Sequence, residues 1–163
     1  MQLLIVTWGM KLTAALLVVL ALLFAGLSTH AQSKPVLNHI ALYVKDLKKS
    51  TTFYTDILKL DTIPEPFHDG KHTWFAVSEH SHLHLIEGAK SVTTHDKNSH
   101  LCFSVPSVDE VISRLNDNKI GYENWPGKKQ EVTTRVDGVK QIYFTDPDGY
   151  WIEINDDYPK ANK

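Results

Sequence analysis

The chain has 163 residues, of which 42% are hydrophobic and 22% charged, and its formal net charge is -2. These values are typical of a folded soluble protein of about one domain. The sequence has no basic run, no glycine-rich phosphate loop and no interleaving of aromatic and basic residues. Nucleic acid is therefore excluded as an expected partner.

The first 31 residues differ in kind from the rest of the chain. The segment Leu12–Leu27 is almost entirely apolar, follows Lys11 and precedes small residues that end at Ala31. This order predicts a signal peptide, residues 1–31, that is cut after Ala31. The apolar stretch is shorter than the ~20 residues of a comfortable membrane span, which favours cleavage over an uncleaved anchor. We expect an exported protein, periplasmic or extracellular, without stable membrane insertion after cleavage.

The mature chain is expected to be a single domain, residues 32–163. Removing the signal peptide deletes Lys11 and no acidic residue, so the formal charge changes from -2 to -3. About 130 residues remain, which suffices for one modest hydrophobic core. Cys102 is the only cysteine. An exported domain without a disulfide must be stabilised by packing and by any metal that it binds.

Two segments of the mature chain resemble each other. Asn38–Val44 aligns with Ser99–Val105 at a constant offset of 61 residues. Residues with helical periodicity follow each segment. They are Leu47, Ser50, Thr51, Tyr54, Ile57 and Leu58 in the first copy, and Val108, Val111, Ile112 and Leu115 in the second. Ser107 and Glu110 form a capping box that begins the second helix, and Gly121 is expected to end it.

Strands are predicted after each helix. They are Thr73–Ser78 and Leu83–Glu87 in the first copy, and Val139–Thr145 and Tyr150–Asn155 in the second. The last two are joined by Asp146-Pro147-Asp148-Gly149, a type I turn signature. The fold class is therefore α+β. Two similar modules, at about 36–90 and 98–156, are expected to share one curved mixed sheet with the helices on its outer face.

Alternation along the strands assigns their faces. In four strands, one face is aliphatic or aromatic and must pack on the helices. The opposite face carries one ionisable group per strand, namely His39, His84, His100 and Glu153. Three imidazoles and a carboxylate suit one divalent ion such as Zn, Ni, Co, Mn or Fe(II). Any one of these histidines could simply begin a strand or lie on the surface, but the symmetric placement within the repeat favours a metal site.

The other polar residues are expected to lie outside this site. We assign His80 and His82 to an exposed loop after Glu79, and three further histidines to polar loops, namely His68, His72 and His95. Cys102 is interpreted as a small buried hydrophobic residue. The long loop before the last hairpin contains Lys128, Lys129 and Arg135. These could hold an anionic substrate, but a solvated charge cluster without a function is favoured.

The sequence resembles the vicinal oxygen chelate (VOC) superfamily, also called the glyoxalase–bleomycin resistance protein–dioxygenase family. Members include glyoxalase I, extradiol dioxygenases, methylmalonyl-CoA epimerase, fosfomycin-resistance enzymes and bleomycin-binding proteins. The resemblance covers Val36 to Asp156 and is carried by Asn38–Leu42, Leu83–Glu87, Ser99–Leu101 and Tyr143–Glu153, of which the last is the most specific. It implies paired βαβββ modules, a homodimer, and metal ligands at His39, His100 and Glu153. Glyoxalase I-like members add a ligand at the position of His84.

The resemblance also implies the chemistry, in which the metal chelates two neighbouring oxygens of a small-molecule substrate. Glu153 is the only acid of the four and takes the role of catalytic base. A glyoxalase I-like lyase or isomerase, similar to lactoylglutathione lyase, is the first expectation. Glyoxalase I usually has Glu or Gln at the position of His84, which disfavours a glutathione hemithioacetal as substrate.

Two alternatives to this lyase or isomerase stay open. One is a bleomycin-type binding protein without catalysis. The other is an extradiol-type dioxygenase, which uses only three ligands and is disfavoured because His84 would occupy the space that oxygen and a chelated catechol need. The sequence also leaves open whether one chain or two supply the four ligands.

Overall fold

The structure is a computed structural model that describes residues 34–159. The signal peptide predicted at residues 1–31 and its cleavage after Ala31 lie outside the described residues. Within the described range, none of the helices has the length and apolar character needed to cross a membrane.

The order strand, helix, three strands occurs twice, as the sequence repeat predicts. The first module consists of β1 (His39–Val44), α1 (Leu47–Asp56), β2 (Thr62–Ile63), β3 (His72–Ala76) and β4 (His82–Glu87). The second consists of β5 (His100–Ser104), α2 (Val108–Asp117), β6 (Thr133–Thr134), β7 (Lys140–Thr145) and β8 (Trp151–Asn155). The sequence does not indicate β2 and β6, because strands of two residues are too short to show alternation.

Each module forms its own four-stranded sheet. Sheet A has the strand order β1-β4-β3-β2, and sheet B has the order β5-β8-β7-β6. β1 runs parallel to β4 and β5 runs parallel to β8, whereas the other neighbours are antiparallel. The α+β class is confirmed, but within one chain there are two sheets instead of a single continuous one. His39 and His100 therefore both lie on edge strands, β1 and β5.

The apolar faces of both sheets and both helices meet in one hydrophobic core. The core residues of the strands are those that alternation assigns to the apolar face, including Leu42, Leu85 and Ile154. In α1 the buried residues are Ser50, Phe53 and Tyr54. The helical pattern missed Phe53, whose ring lies 6.2 Å from that of Phe144 in sheet B. The apolar stripe of α1 is wider than predicted because the helix packs against both sheets.

Local hydrogen bonds begin and end the two helices. The side chain of Asp46 accepts a hydrogen bond from Lys49 N at the start of α1, and Ser107 Oγ accepts one from Glu110 N at 3.3 Å in α2. The start of α2 at Ser107 is therefore confirmed, with the Ser107 half of the predicted capping box formed. The predicted end of α2 at Gly121 is wrong, since the helix ends at Asp117 and Lys119 adopts the left-handed conformation with φ 57°. Lys119 thus takes the position that glycine usually occupies after a helix.

The turn between β7 and β8 joins the second module to the first. Gly149 N donates to Asp146 O at 3.2 Å, which closes the predicted turn. Asp148 accepts hydrogen bonds from Lys45 N at 2.7 Å and Ser50 Oγ at 2.5 Å, and Asp146 accepts one from Tyr54 OH at 2.8 Å. Two buried carboxylates therefore hold both ends of α1 and fix how the modules pack.

Gly149 is the position at which this turn is most sensitive to a side chain. It has φ 91°, and an added Cβ would clash with the backbone carbonyl of Thr93. Gly138 has nearly the same φ of 88° with open space around it. Gly138→Ala should lower the free energy of unfolding by about 1–2 kcal/mol, because alanine is strained in this backbone conformation. Gly149→Ala should lower the free energy of unfolding by about 1–3 kcal/mol more than Gly138→Ala does, because the clash of its Cβ with Thr93 adds to the backbone strain. Urea denaturation of both variants tests this expectation, and equal losses would contradict it.

Candidate metal centre

His39 and His84 lie side by side on the open face of sheet A. Their rings are stacked, with centroids 4.3 Å apart and planes within 7°. Beyond His84, the ring of Trp74 is stacked on the imidazole at 3.9 Å. The predicted faces of β1 and β4 are therefore confirmed. His84 is buried, whereas His39 is exposed at the edge of the sheet.

His84 has a buried nitrogen without a hydrogen-bond partner. Its Nε2 contacts no donor or acceptor among the described residues. Burial lowers the pKa of His84 below its ordinary value, and the neighbouring His39 and His82 lower it further. His84 is therefore held as a neutral imidazole, which is the form that binds metal. A buried polar atom without a partner requires an explanation, and a bound ion is one.

His100 and Glu153 form the corresponding pair on sheet B. His100 Nε2 lies 3.2 Å from Glu153 Oε2. The other ring nitrogen, Nδ1, donates to the backbone carbonyl of Lys97 at 2.7 Å. His39 has the same arrangement, with Nδ1 donating to Asn38 Oδ1 at 2.7 Å. A hydrogen bond at Nδ1 orients the ring and leaves Nε2 as the metal-binding nitrogen.

The carboxylate of Glu153 is buried and fixed at both oxygens. Tyr143 OH donates to Oε2 at 2.6 Å, and Asn155 Nδ2 donates to Oε1 at 3.0 Å. Burial raises the pKa of Glu153, but the hydrogen bonds from Tyr143, Asn155 and Cys102, together with the nearby His100, outweigh burial and leave this pKa below its ordinary value. Burial and the adjacent carboxylate raise the pKa of Tyr143, which therefore stays protonated and donates. Glu153 is thus an ionised and well-oriented group.

Sequence reasoning missed Tyr143 and Asn155. Tyr143 is opposite Glu153 in the register of β7 and β8, and Asn155 follows Glu153 by two residues on the same face. Alternation along β7 would have placed Tyr143 on the polar face. Its importance is evident only once the register is known, because strand pairing is not contained in the local pattern.

The four predicted ligands occur as two pairs in this chain. The first pair is His39 with His84 on sheet A, and the second is His100 with Glu153 on sheet B. Over residues 34–159, no three His, Cys, Asp or Glu side chains converge on one point that could hold an ion. Each sheet therefore presents half of the predicted metal site.

The fold and this arrangement can be compared with known proteins. A family model described as the Glyoxalase/Bleomycin resistance protein/Dioxygenase superfamily matches residues 36–154. The chain belongs to this superfamily. The predicted resemblance to the VOC superfamily is confirmed.

Relatives of this VOC chain differ in the reactions that their names state. The chain is 32% identical to the metallothiol transferase FosB of Staphylococcus epidermidis, over 72% of this chain and 79% of that protein. It is 28% identical to a lactoylglutathione lyase of Pseudomonas putida, over 76% of this chain and 86% of that protein. Among solved structures, Oxidase ChaP-H1 is 27% identical with a TM-score of 0.63, and the match covers 79% of this chain and all (100%) of that one.

Two histidines that were assigned to loops lie in strands of this VOC domain. His82 is the first residue of β4, and His72 is the first residue of β3. The loop assignment is therefore wrong for both. The polar residues around each histidine hid the start of its strand in the sequence pattern. Pairing with β1 and β3 makes β4 begin at His82, one residue before the predicted start. His72 Nδ1 lies 2.9 Å from Asp69 Oδ1, and His82 faces the same side as His84.

The prediction that Cys102 is a buried residue is wrong, since Cys102 is exposed, with its Sγ beside Asn155. Partial burial of the thiol, together with the Glu153 charge, raises the pKa of Cys102 to about 12. A thiolate would be needed for nucleophilic attack or metal binding. Instead, Cys102 Sγ accepts a hydrogen bond from Asn155 Nδ2 at 3.1 Å.

The basic residues considered for anion binding all have acidic partners. Lys128 pairs with Glu131, Lys129 with Glu123, and Arg135 with Asp137. Their side chains are largely exposed, apart from the partly covered Arg135. This pairing supports the interpretation of a solvated charge cluster.

Proposed function

We propose that this chain is a metal-dependent glyoxalase I-like lyase or isomerase that acts on a small oxygenated metabolite. His39, His84, His100 and Glu153 would hold one divalent ion. The main support is the local environment of each of these side chains. His39 and His100 each use Nδ1 in a hydrogen bond, so Nε2 is the nitrogen that would bind a metal, and in His100 it lies 3.2 Å from Glu153 Oε2. His84 has a buried Nε2 without a partner, and Glu153 is held as a carboxylate.

Glu153 would carry the proton that the reaction moves. When bound, the metal supplies a Lewis acid that stabilises negative charge on the substrate oxygens. The carboxylate of Glu153 takes a proton from the carbon next to the substrate carbonyl and returns it to the neighbouring carbon, which is an isomerisation. Tyr143 OH and Asn155 hold the two oxygens of Glu153 in position for this transfer. The other three proposed ligands are histidines, so Glu153 is the only carboxylate among the four that can take this role.

We further propose that two chains together complete the site. One chain supplies His39 and His84 from sheet A, and the other supplies His100 and Glu153 from sheet B. This arrangement explains why one chain shows two separate pairs, and why both edge strands carry a ligand. It implies a homodimer whose single twofold-symmetric interface contains two equivalent sites.

Thiol transfer is the second candidate function. A histidine at position 84 departs from the Glu or Gln that is usual in glyoxalase I. The 32% identity to a protein named as a metallothiol transferase favours the same alternative. In that reaction the metal would again be the Lewis acid, but Glu153 would have no carbon-bound proton to move.

Metal analysis and turnover of the untagged protein, as recovered from the expressing cells, test these proposals. We expect a stoichiometric divalent ion and isomerised product from a panel of hemithioacetals and α-hydroxycarbonyl compounds. Chelation should abolish turnover and lower the melting temperature, since a metal that binds only the native state adds stability. Thiol adducts formed from an added thiol and an epoxide would instead establish thiol transfer. A metal-loaded protein that binds the panel without turnover would establish a binding protein.

A further inference from the structure

The open face of sheet A carries a third histidine beside the proposed ligands. His82 and His84 are two residues apart on β4, so both side chains point to the same face. His82 is paired directly with His39 in the parallel register of β1 and β4. The ring of His82 lies 6.1 Å from the ring of His84, with the two planes within 17°. Three imidazoles thus occupy adjacent positions on two neighbouring strands.

The spacing of these histidines suits a single ion. Residues two apart on a strand are separated by about 6.6 Å, and neighbouring strands by about 4.8 Å. The three rings are now stacked, so their nitrogen lone pairs lie in nearly parallel planes and do not converge. His82 is half-buried and His39 is exposed, so both rings can turn about their side-chain bonds once His39 exchanges its Nδ1 hydrogen bond with Asn38 for one with water. The buried Nε2 of His84, which has no partner, is the fixed ligand toward which they would turn.

We propose that His39, His82 and His84 form a second metal site on sheet A, made only of imidazoles, that binds without any ligand from sheet B. Three histidines are an established ligand set for zinc with an open position. Imidazole-only sites select Zn, Ni or Cu(II), whereas Mn(II) prefers carboxylate and carbonyl oxygens. The site shares His39 and His84 with the four-ligand site, so a given sheet A holds one ion or the other. The inference does not rest on the proposed function, because it requires neither Glu153 nor a second chain.

Trp74 provides a built-in reporter for this site. Its ring is stacked on His84 at 3.9 Å, so a paramagnetic Ni(II) ion bound to His84 should quench its fluorescence. The test uses an untagged protein with the substitutions His100→Ala and Glu153→Gln, which remove the sheet B ligands. Ni(II) should quench this background variant saturably with one equivalent, and Mn(II) should not. Adding Trp74→Phe should remove the quenched signal and so identify its source.

His82 is tested in the same background against a matched control. His82→Ala should weaken Ni(II) binding by about tenfold or more, because it removes one of three ligands. His80→Ala makes the same change two residues earlier, in the exposed segment before β4, and should leave the affinity unchanged. His82→Gln, which keeps a polar side chain at the start of the strand, repeats the test if circular dichroism shows that His82→Ala is misfolded. An unchanged affinity in the folded His82 variant, or a background variant that does not bind Ni(II), would overturn the proposal.

Discussion

Glu153→Gln should lower the turnover number by about 10²–10⁴-fold even when metal is saturating, because glutamine cannot accept the proton at any metal concentration. The substitution is nearly isosteric, so Tyr143 OH can still donate to the remaining carbonyl oxygen. Metal affinity should also fall, since a charged ligand becomes neutral. Measuring turnover across a metal titration separates the two effects, because excess metal restores only the part that is due to lost affinity.

The control for this experiment is His84→Gln. It also replaces one proposed ligand by an amide, but at a position where glyoxalase I usually has Glu or Gln. It should retain far more activity than Glu153→Gln at saturating metal, since no proton passes through His84. Near-full activity of metal-saturated Glu153→Gln would remove Glu153 as the base and, with it, the isomerase proposal.

Two inactive variants, one substituted in sheet A and the other in sheet B, should regain activity when they are produced together in one cell. One variant carries His39→Ala and His84→Ala, and the other carries His100→Ala and Glu153→Gln. If each site combines sheet A of one chain with sheet B of another, a mixed dimer has one intact site and one site without ligands. Random pairing then regenerates about a quarter of the wild-type sites. Co-expression followed by metal analysis and turnover of the purified dimer measures this recovery.

The matched control pairs two variants of the same sheet. Chains with His39→Ala and chains with His84→Ala each damage sheet A, so every dimer that they form lacks a complete site. This pair should show no recovery. The opposite-sheet pair could instead have no more activity than either variant alone, although sedimentation shows that it forms dimers. The site would then lie within one chain, and the shared-site proposal would be wrong.

Several features of this protein are determined by local sequence alone. The repeat, the capping box at Ser107 and Glu110, and the turn at Asp146–Gly149 all depend on residues close together in the chain. The face that each of the four strands presents follows from alternation, because successive side chains on a strand point in opposite directions. His84 and Glu153 could therefore be placed on the polar face before any contact was known. The signal peptide at residues 1–31 is a local feature too, and it stays a prediction.

Only the tertiary structure decided how these residues meet. It separated the expected single sheet into two, and it divided the four ligands into the pairs His39–His84 and His100–Glu153. It also brought Tyr143 to Glu153 and placed His82 next to His39. Sequence periodicity fixes the direction of a side chain relative to its own strand. The distance between two strands depends instead on their register and on the packing of the helices between the sheets, which involve residues far apart in the chain.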